Sequence, residues 1–403
     1  MGPLCRGSRR RGAGLLRPRA ALARGPPRPG RSRERDRAAR GARAPARGLA
    51  VRRAHSCGRA GSARPRQANR RQGAAGPGWM TLLRENFDDF DGAVGLAAER
   101  TGYQPIFIEK DYWVCQVLRV LCGPEGYGAD VVFKGGTSVS KGYALIDRFS
   151  EDVDILVQKT EAQSRKECEL LLEQMSALVA GRLGLDRHEA RPPGRGKWPH
   201  RADILSYPSR LEAPAIEGVI AGGVQLETGY AGGEWPSQGV EIAPLLMQAE
   251  EVADESYEDL ESFRVRALLP VRTLLEKLSV LHHVGAQFVD ASTANDGRFG
   301  RHYYDVFQIL GYADTLARLA DREAFVGVVE DVRRISSNHY GGSTPRPDGG
   351  YADSPAFAAP PGSDLRDYLE DNYERARALA ARDAVWPSLG AILKRVAEYR
   401  DLL

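Results

Sequence analysis

The sequence predicts an α/β fold: a mixed sheet with helices, followed by a helical C-terminal part. Three observations carry that expectation. A short β-branched run, Asp130-Val-Val-Phe133, leads through Lys134-Gly-Gly-Thr-Ser138 into a helical stretch, as a strand, turn and helix do. A second run, Asp152-Val-Asp-Ile-Leu-Val157, alternates charged and apolar residues with the period of a strand. After Tyr257 the texture changes to apolar residues at helical spacing with few strand signals.

In chain order, Ile106–Leu121 places Ile108, Tyr112, Cys115, Val117, Leu118 and Leu121 near helical spacing and reads as an amphipathic helix. Thr160–Leu185 is helical in pattern, and Arg187–Arg201 reads as a basic Pro/Gly loop. Val224–Tyr230 is a strand candidate in a Gly-rich setting. Helices are then expected over Val271–Val284, Tyr303–Ala313, Asp314–Val332 and Asp364–Ala381. Ser336–Gly362, rich in Ser, Gly and Pro, reads as a mobile loop.

The chain has 403 residues and a formal net charge of +4, a sum of two opposite parts. Residues 1–79 hold 22 arginines, no lysine and two acids, a net of +20, which leaves Met80–Leu403 at −16. The leader lacks apolar periodicity and is expected to be disordered. Three readings of it stand open: GC-rich DNA translated upstream of a true start at Met80, a basic nucleic-acid-binding tail, or an organelle transit peptide. The expected organisation is therefore a leader (1–79), an α/β domain (80–256) and a helical domain (257–403). No run approaches the ~18 apolar residues of a membrane helix, and a soluble, cytoplasmic protein without membrane contact is expected. Five cysteines without a C-x-x-C pair indicate neither a disulfide framework nor a zinc site, and Cys115 and Cys122 read as small buried hydrophobes.

The chemistry concentrates around the two strands. Residues i and i+2 of a strand share a face, so Asp152 and Asp154 converge while Val153 and Ile155 point to the core. Paired carboxylates repel, and a divalent cation relieves the repulsion; oxygen-only ligands suit Mg²⁺ together with substrate phosphates. Gly135 and Gly136 permit close backbone approach, and the N–H groups and hydroxyls of Thr137 and Ser138 are placed to hold phosphate oxygens at a helix start. Taken singly, the Gly-Gly-Thr-Ser segment reads as a turn and Asp-x-Asp as a solvated edge; their ordered combination is a phosphoryl-transfer layout. Glu227 is the candidate third carboxylate, against an exposed strand glutamate, with Asp203 as runner-up. His302 reads as a structural neighbour of Arg301 rather than a base, and the adjacent His282 and His283 diverge on a helix. The segment Arg187, Arg191, Arg195, Lys197, Arg201 with Trp198 is either a nucleic-acid contact or a solvated loop.

Phe133-Lys-Gly-Gly-Thr-Ser-Val-Ser-Lys-Gly-Tyr143 followed by Ile146-Asp-Arg-Phe-Ser-Glu-Asp-Val-Asp-Ile-Leu156 resembles the AbiEii/AbiGii nucleotidyltransferase toxins of type IV toxin–antitoxin systems. That group includes the MenT toxins and belongs to the DNA polymerase β-type nucleotidyltransferase superfamily. Ile108-Glu-Lys-Asp-Tyr-Trp-Val114, Arg272-Thr-Leu-Leu-Glu-Lys-Leu278 and Arg301-His-Tyr-Tyr-Asp305 extend the resemblance over Phe107–Leu310. It implies a polymerase β-type core and Mg²⁺ on Asp152 and Asp154. It also implies Ser150 near the nucleotide phosphates, Lys277 as a nucleotide contact, and Asp305 as an acid required for activity with Arg301 beside it. On spacing alone Lys277 would be a solvated helix lysine and Asp305 a surface acid.

The resulting expectation is a toxin that transfers a nucleotide from an NTP to an acceptor, by resemblance a tRNA 3′ end, with Glu227 or Asp305 helping to deprotonate it. RNA contacts in so acidic a body would come from residues 187–201 or from Arg264, Arg266 and Arg272. A small genetically linked antitoxin with a DNA-binding segment is expected, acting with or without direct contact. The alternatives are a small-molecule or protein nucleotidyltransferase and a non-catalytic nucleotide-binding partner protein.

Overall fold

Asp152–Val157 and Val131–Lys134 pair antiparallel, and around this pair a mixed sheet is assembled in a computed structural model. The structure describes residues 82–403 apart from 151, 159–162, 192–198, 210, 212–221, 254–256, 291–297 and 340–343. The leader lies outside the described residues, as do Arg195, Lys197 and Trp198.

The strands are β1 (Val131–Lys134), β2 (Asp152–Val157), β3 (Asp186–Arg191), β4 (His200–Ser206), β5 (Gly223–Gly229), β6 (Ser237–Ile242) and β7 (Phe263–Leu268), in the order β3-β4-β5-β2-β1-β7-β6. The pairs β2/β5 and β1/β7 are parallel and the others antiparallel. Three expectations are corrected here. Arg187–Arg201 is not one loop, because its two ends are the paired strands β3 and β4. Strands also continue beyond Tyr257, since β7 lies inside the sheet between β1 and β6. The all-helical part consequently begins only at Pro270.

Helices α1 (Phe87–Thr101), α2 (Pro105–Cys122) and α4 (Arg165–Leu183) cover one face of the sheet, and α3 (Gly135–Tyr143) follows β1 directly. Local signals set their ends: the Asn86 side chain caps α1, Ser164 and Glu167 form a capping box on α4, and Gly102 and Gly184 close α1 and α4 in the left-handed region. The α2 helix, expected to be amphipathic, is buried almost all round because it runs between the sheet, α1 and α4. Its polar residues are matched instead of solvated: Glu109 accepts a hydrogen bond from the Ser209 hydroxyl, and Asp111 takes Lys141.

A short α5 (Glu250–Ala253) precedes β7. The helical part comprises α6 (Pro270–Gln287), α7 (Arg301–Leu310), α8 (Ala313–Ala320), α9 (Arg322–His339), α10 (Pro355–Ala358), α11 (Asp364–Ala376) and α12 (Leu389–Glu398). The helix expected over Asp314–Val332 is two, broken at Asp321, whose carboxylate accepts from the Ala324 N–H. The described part of Ser336–Gly362 is not an open loop. Tyr351, Ala352, Ala356 and Phe357 are buried there, and the Tyr303 hydroxyl donates to the Ala356 carbonyl. Cys115, Cys122 and Cys168 are free and buried, and burial pushes the Cys115 and Cys122 thiols up to about 12.

Beside two small clusters, two large apolar ones dominate the described residues. One joins the sheet to α1, α2 and α4; the other joins α6 to α12 and takes in Val139 of α3. Helix α3 thus touches both, and its placement is fixed by charge as well. The Lys141 ammonium is held 2.7 Å and 2.9 Å from the Asp111 oxygens and 2.6 Å from the Ala243 carbonyl. Burial opposes its charge, but Asp111 outweighs burial and raises its pKa. Asp111→Leu strands a buried ammonium and is expected to cost about 3–5 kcal/mol in urea unfolding, and Asp111→Leu with Lys141→Met recovers most of that loss.

Candidate active site

Strand register places the acidic residues. Asp154 of β2 lies opposite Lys134 of β1 on one side and Glu227 of β5 on the other, and Asp152 lies opposite Gln225. Lys134, Asp154 and Glu227 therefore form a row across three strands. The alternation of β2 turns Val153 and Ile155 into the first core, both at most 1% exposed, and leaves Asp152 and Asp154 half-buried on the other face. Asp203 is not part of this group. It stands opposite Leu226, so it shares the core face, and Arg201 grips it at 2.5 Å and 2.9 Å.

The carboxylates crowd one another. Burial first, then Asp154 and Asp152, raise the Glu227 pKa. Positive groups offset part of this: Arg301 Nη2 is 3.1 Å from Asp152 Oδ2, and Lys134 Nζ is 3.7 Å from Asp154 Oδ1. Among the described residues, no three His, Cys, Asp or Glu side chains are gathered as a ready metal cage. The donor set still fits Mg²⁺, which takes one or two carboxylates and completes its shell with water and substrate phosphates. Asp152 and Asp154, with Glu227 beside them, are the residues able to hold it.

Helix α3 begins against this strand so closely that glycine is required. Gly135 has φ +81°, and a Cβ there would sit 2.1 Å from Asp154 Oδ2. A Cβ on Gly136 would stand 2.9 Å from Ser150 Oγ and 3.0 Å from Arg148 Nη2. The hydroxyls expected to hold phosphates point inward instead. Thr137 Oγ1 donates to the Asp152 carbonyl at 2.6 Å and lies 3.0 Å from Ser150 Oγ, while Ser138 Oγ donates to the Gly135 carbonyl at 2.9 Å. Both residues are buried, so they hold the turn on the strand, and half-buried Ser150 keeps the more open hydroxyl.

Behind the acids lies a buried charge cluster. Arg148 Nε and Nη2 donate to the two oxygens of Asp305 at 2.7 Å and 2.6 Å, and Lys277 Nζ lies 2.7 Å from Asp305 Oδ2. Burial alone would raise the Asp305 pKa, but Arg148 and Lys277 outweigh it and hold the carboxyl well below its usual range. Asp305 is buried rather than a surface acid, and its carboxylate is engaged by two cations. Burial lowers the Lys277 pKa despite Asp305. Lys277 Nζ also contacts His302 Nδ1 at 3.2 Å. Burial, with Lys277 and Arg301, keeps His302 well below its ordinary pKa, hence neutral.

Lys134, Gly135, Lys277 and His302 line one cavity of about 490 Å³, continued by Arg272 and Thr273 and by the aliphatic Val280, Val332 and Ile335. Arg272, expected on an RNA-binding surface, is buried and engaged by Asp331, Glu276 and the Trp235 carbonyl. Of its companions, Arg266 bonds Ser237 and Glu234, and Arg264 is exposed. Arg187 bonds the Glu173 carbonyl. The sequence reading missed Arg148 and Lys134 as site groups; Arg148 lies within the quoted motif, but its partner is 157 positions away.

A glycine turn against an acidic row, beside a cavity lined by Lys134 and Lys277, is a layout suited to phosphoryl transfer. The profile of a family described as nucleotidyl transferase AbiEii toxin, type IV toxin–antitoxin system, matches residues 119–392, and the chain belongs to that family. The match begins after the upstream segment Ile108–Val114 and extends past Leu310 into the last helices. Among solved structures, the chain is similar to the MenT4 nucleotidyltransferase toxin from Mycobacterium tuberculosis H37Rv, at 16% identity and a TM-score of 0.42, covering 77% of this chain and 96% of that one. A comparison with curated proteins finds no match. Among the described residues no helix is long and apolar enough to cross a membrane.

Removing the anchor leaves two buried cations unbalanced, so Asp305→Asn is expected to destabilise the protein by about 3–5 kcal/mol in urea unfolding. Because the folded pKa is depressed, the contribution of Asp305 is complete above about pH 4, its unfolded value, and is lost as pH falls toward the lower folded one. Wild type and Asp305→Asn should accordingly keep a constant gap in melting temperature between pH 6 and 8. Gly135→Ala is expected to displace the Asp154 carboxylate and abolish nucleotide transfer while the protein still folds, as circular dichroism would record.

Proposed function

We propose that this nucleotidyltransferase is Mg²⁺-dependent and transfers a nucleotide from an NTP to an RNA acceptor, a tRNA 3′ end, blocking translation and growth. The observation that carries the metal-dependent chemistry is the row Lys134–Asp154–Glu227 with Asp152, set beside a cavity that presents Lys277. The RNA acceptor rests on the family alone. When bound, Mg²⁺ would be held by Asp152 and Asp154 and would stabilise charge developing on the reacting phosphate. Lys277 is aimed into the cavity by Asp305, and Lys134 stands at its edge, so two ammonium groups face the nucleotide's phosphates. The N–H groups at the start of α3 add donors at the same place. Glu227, with its raised pKa, is the better proton acceptor for an attacking hydroxyl than the paired Asp305. Arg301 pairs with Asp152, and a cation taken by that carboxylate would free Arg301 for a phosphate.

A genetically linked antitoxin with a DNA-binding segment is the partner expected of a type IV system, and the cytoplasm is where such a toxin meets tRNA. The test is incubation of the purified protein with each labelled triphosphate and total RNA. Label should pass to tRNA, depend on Mg²⁺ and be lost with Asp152→Ala or Asp154→Ala. Label passing to protein or a small molecule, or surviving Asp152→Ala, refutes the proposal. A second consequence concerns Glu227. A raised carboxyl pKa means that its charge opposes folding, a cost absent below about pH 4, growing as pH rises toward the folded value and complete above it. In chelator at pH 7.5, Glu227→Gln should melt above wild type, and added Mg²⁺ should raise wild type more than the variant.

A further inference from the structure

We infer that His302 is a nucleotide contact: its Nδ1 orients Lys277 and its Nε2–H donates a hydrogen bond to a phosphate oxygen of the nucleotide held in the cavity. The inference rests on the nucleotidyltransferase reading of this site and deepens it. Lys277 has three N–H donors. One goes to Asp305 Oδ2 at 2.7 Å and one to His302 Nδ1 at 3.2 Å, which leaves the third for the cavity that Lys277 lines. An ammonium is donor-only, so His302 Nδ1 must be the acceptor, and in a neutral imidazole the proton then sits on Nε2. Nε2 lies on the far side of the ring from Nδ1, and His302 itself lines the same cavity as Lys277, Lys134 and Gly135.

The surroundings favour a neutral donor over an imidazolium. Lys277 from α6, Arg301 on the same helix and Arg148 from the segment before β2 all disfavour a positive ring, and Asp305 alone among the named groups opposes them. A neutral N–H adds a directed hydrogen bond to an anionic oxygen without adding charge beside two cations. Gln can reproduce both functions, accepting through Oε1 and donating through Nε2; Leu can reproduce neither.

Titration calorimetry on the full-length protein with ATP, CTP, GTP and UTP in turn, in Mg²⁺ and without acceptor, provides the test. For the triphosphate that wild type binds best, His302→Leu should weaken affinity about tenfold or more, and His302→Gln should stay within about threefold. In the transfer assay the loss in His302→Leu should fall on KM, with kcat largely retained. Nitrogen-edited NMR of the histidine side chains, with His302 assigned through His302→Gln, should show a proton on Nε2 and a shift of that signal on triphosphate addition. Wild-type affinity in His302→Leu, a proton on Nδ1, or a loss confined to kcat each overturns the inference alone. Wild-type protein that binds none of the four triphosphates overturns the nucleotide reading and this inference with it.

Discussion

Asp305 is the constraint on which the site depends. Its two oxygens hold Arg148, from the segment leading into β2, and Lys277, from α6, while Asp305 itself rides on α7. Three segments far apart in sequence thereby meet at one carboxylate. The backbone reinforces the junction, since Phe149 N–H bonds the Leu379 carbonyl and Ala381 N–H bonds the Asp147 carbonyl. Buried ion clusters are poor evidence for stability, because apolar replacements often do as well. Their consequence here is positional: with Asp305 in place, Lys277 has a defined direction and β2 a defined depth. The cluster carries one net positive charge, deposited behind a strand that carries two negative ones.

Helix α3 answers the same need from the other side. Its first two residues pass so near Asp154, Ser150 and Arg148 that a Cβ at either would push against those side chains. The glycines of the Gly-Gly-Thr-Ser segment thus serve internal contact, the Thr137 hydroxyl ties the turn to β2, and the Ser138 hydroxyl closes back on the Gly135 carbonyl. Ser150, in contact with Thr137, and the carboxylates, paired with Arg301 and Lys134, stay partly exposed on this assembly. A short local motif therefore specifies a rigid platform, and side chains from distant helices complete it.

How much of this was legible in the sequence follows the range of the forces involved. The β1–α3–β2 unit was legible because its signals are local: a β-branched run, glycines, and i, i+2 alternation. Glu227 could be singled out because Leu226 and Thr228 flank it in a strand-like run, and the register set it beside Asp154. The strands β3 and β6 were hidden because edge strands carry charged and polar residues that read as loop. The alternation of Val265 and Ala267 with Arg264 and Arg266 was present, but the helical texture around β7 masked it. Asp305 and Lys277 look like surface residues on their helices because α7 is covered on more than its apolar stripe, by Arg148 as well as by α6. Such burial is a property of the assembled helices, and the resemblance to known relatives supplied what periodicity lacked. The Arg148–Asp305 pair spans 157 positions and leaves no local trace.

The charge distribution gains a physical reading from these contacts. Met80–Leu403 carries −16, yet its cavity is lined by Lys134 and Lys277, while Arg272 there is engaged by Asp331 and Glu276. At physiological salt, charges act over roughly 8 Å, so a bound triphosphate senses these few groups far more than the net charge of the body. The acids of the site face the other way in this balance: burial, then Asp154 and Asp152, raise the Glu227 pKa, and Arg301 and Lys134 pair with Asp152 and Asp154. In the proposed Mg²⁺-dependent transfer, substrate phosphates would compete for those same cations and a divalent ion for the same carboxylates. On that proposal each would release the partner that the other needs, and metal and triphosphate would favour one another's binding. A globally acidic chain can in this way concentrate an anionic substrate at a single cavity.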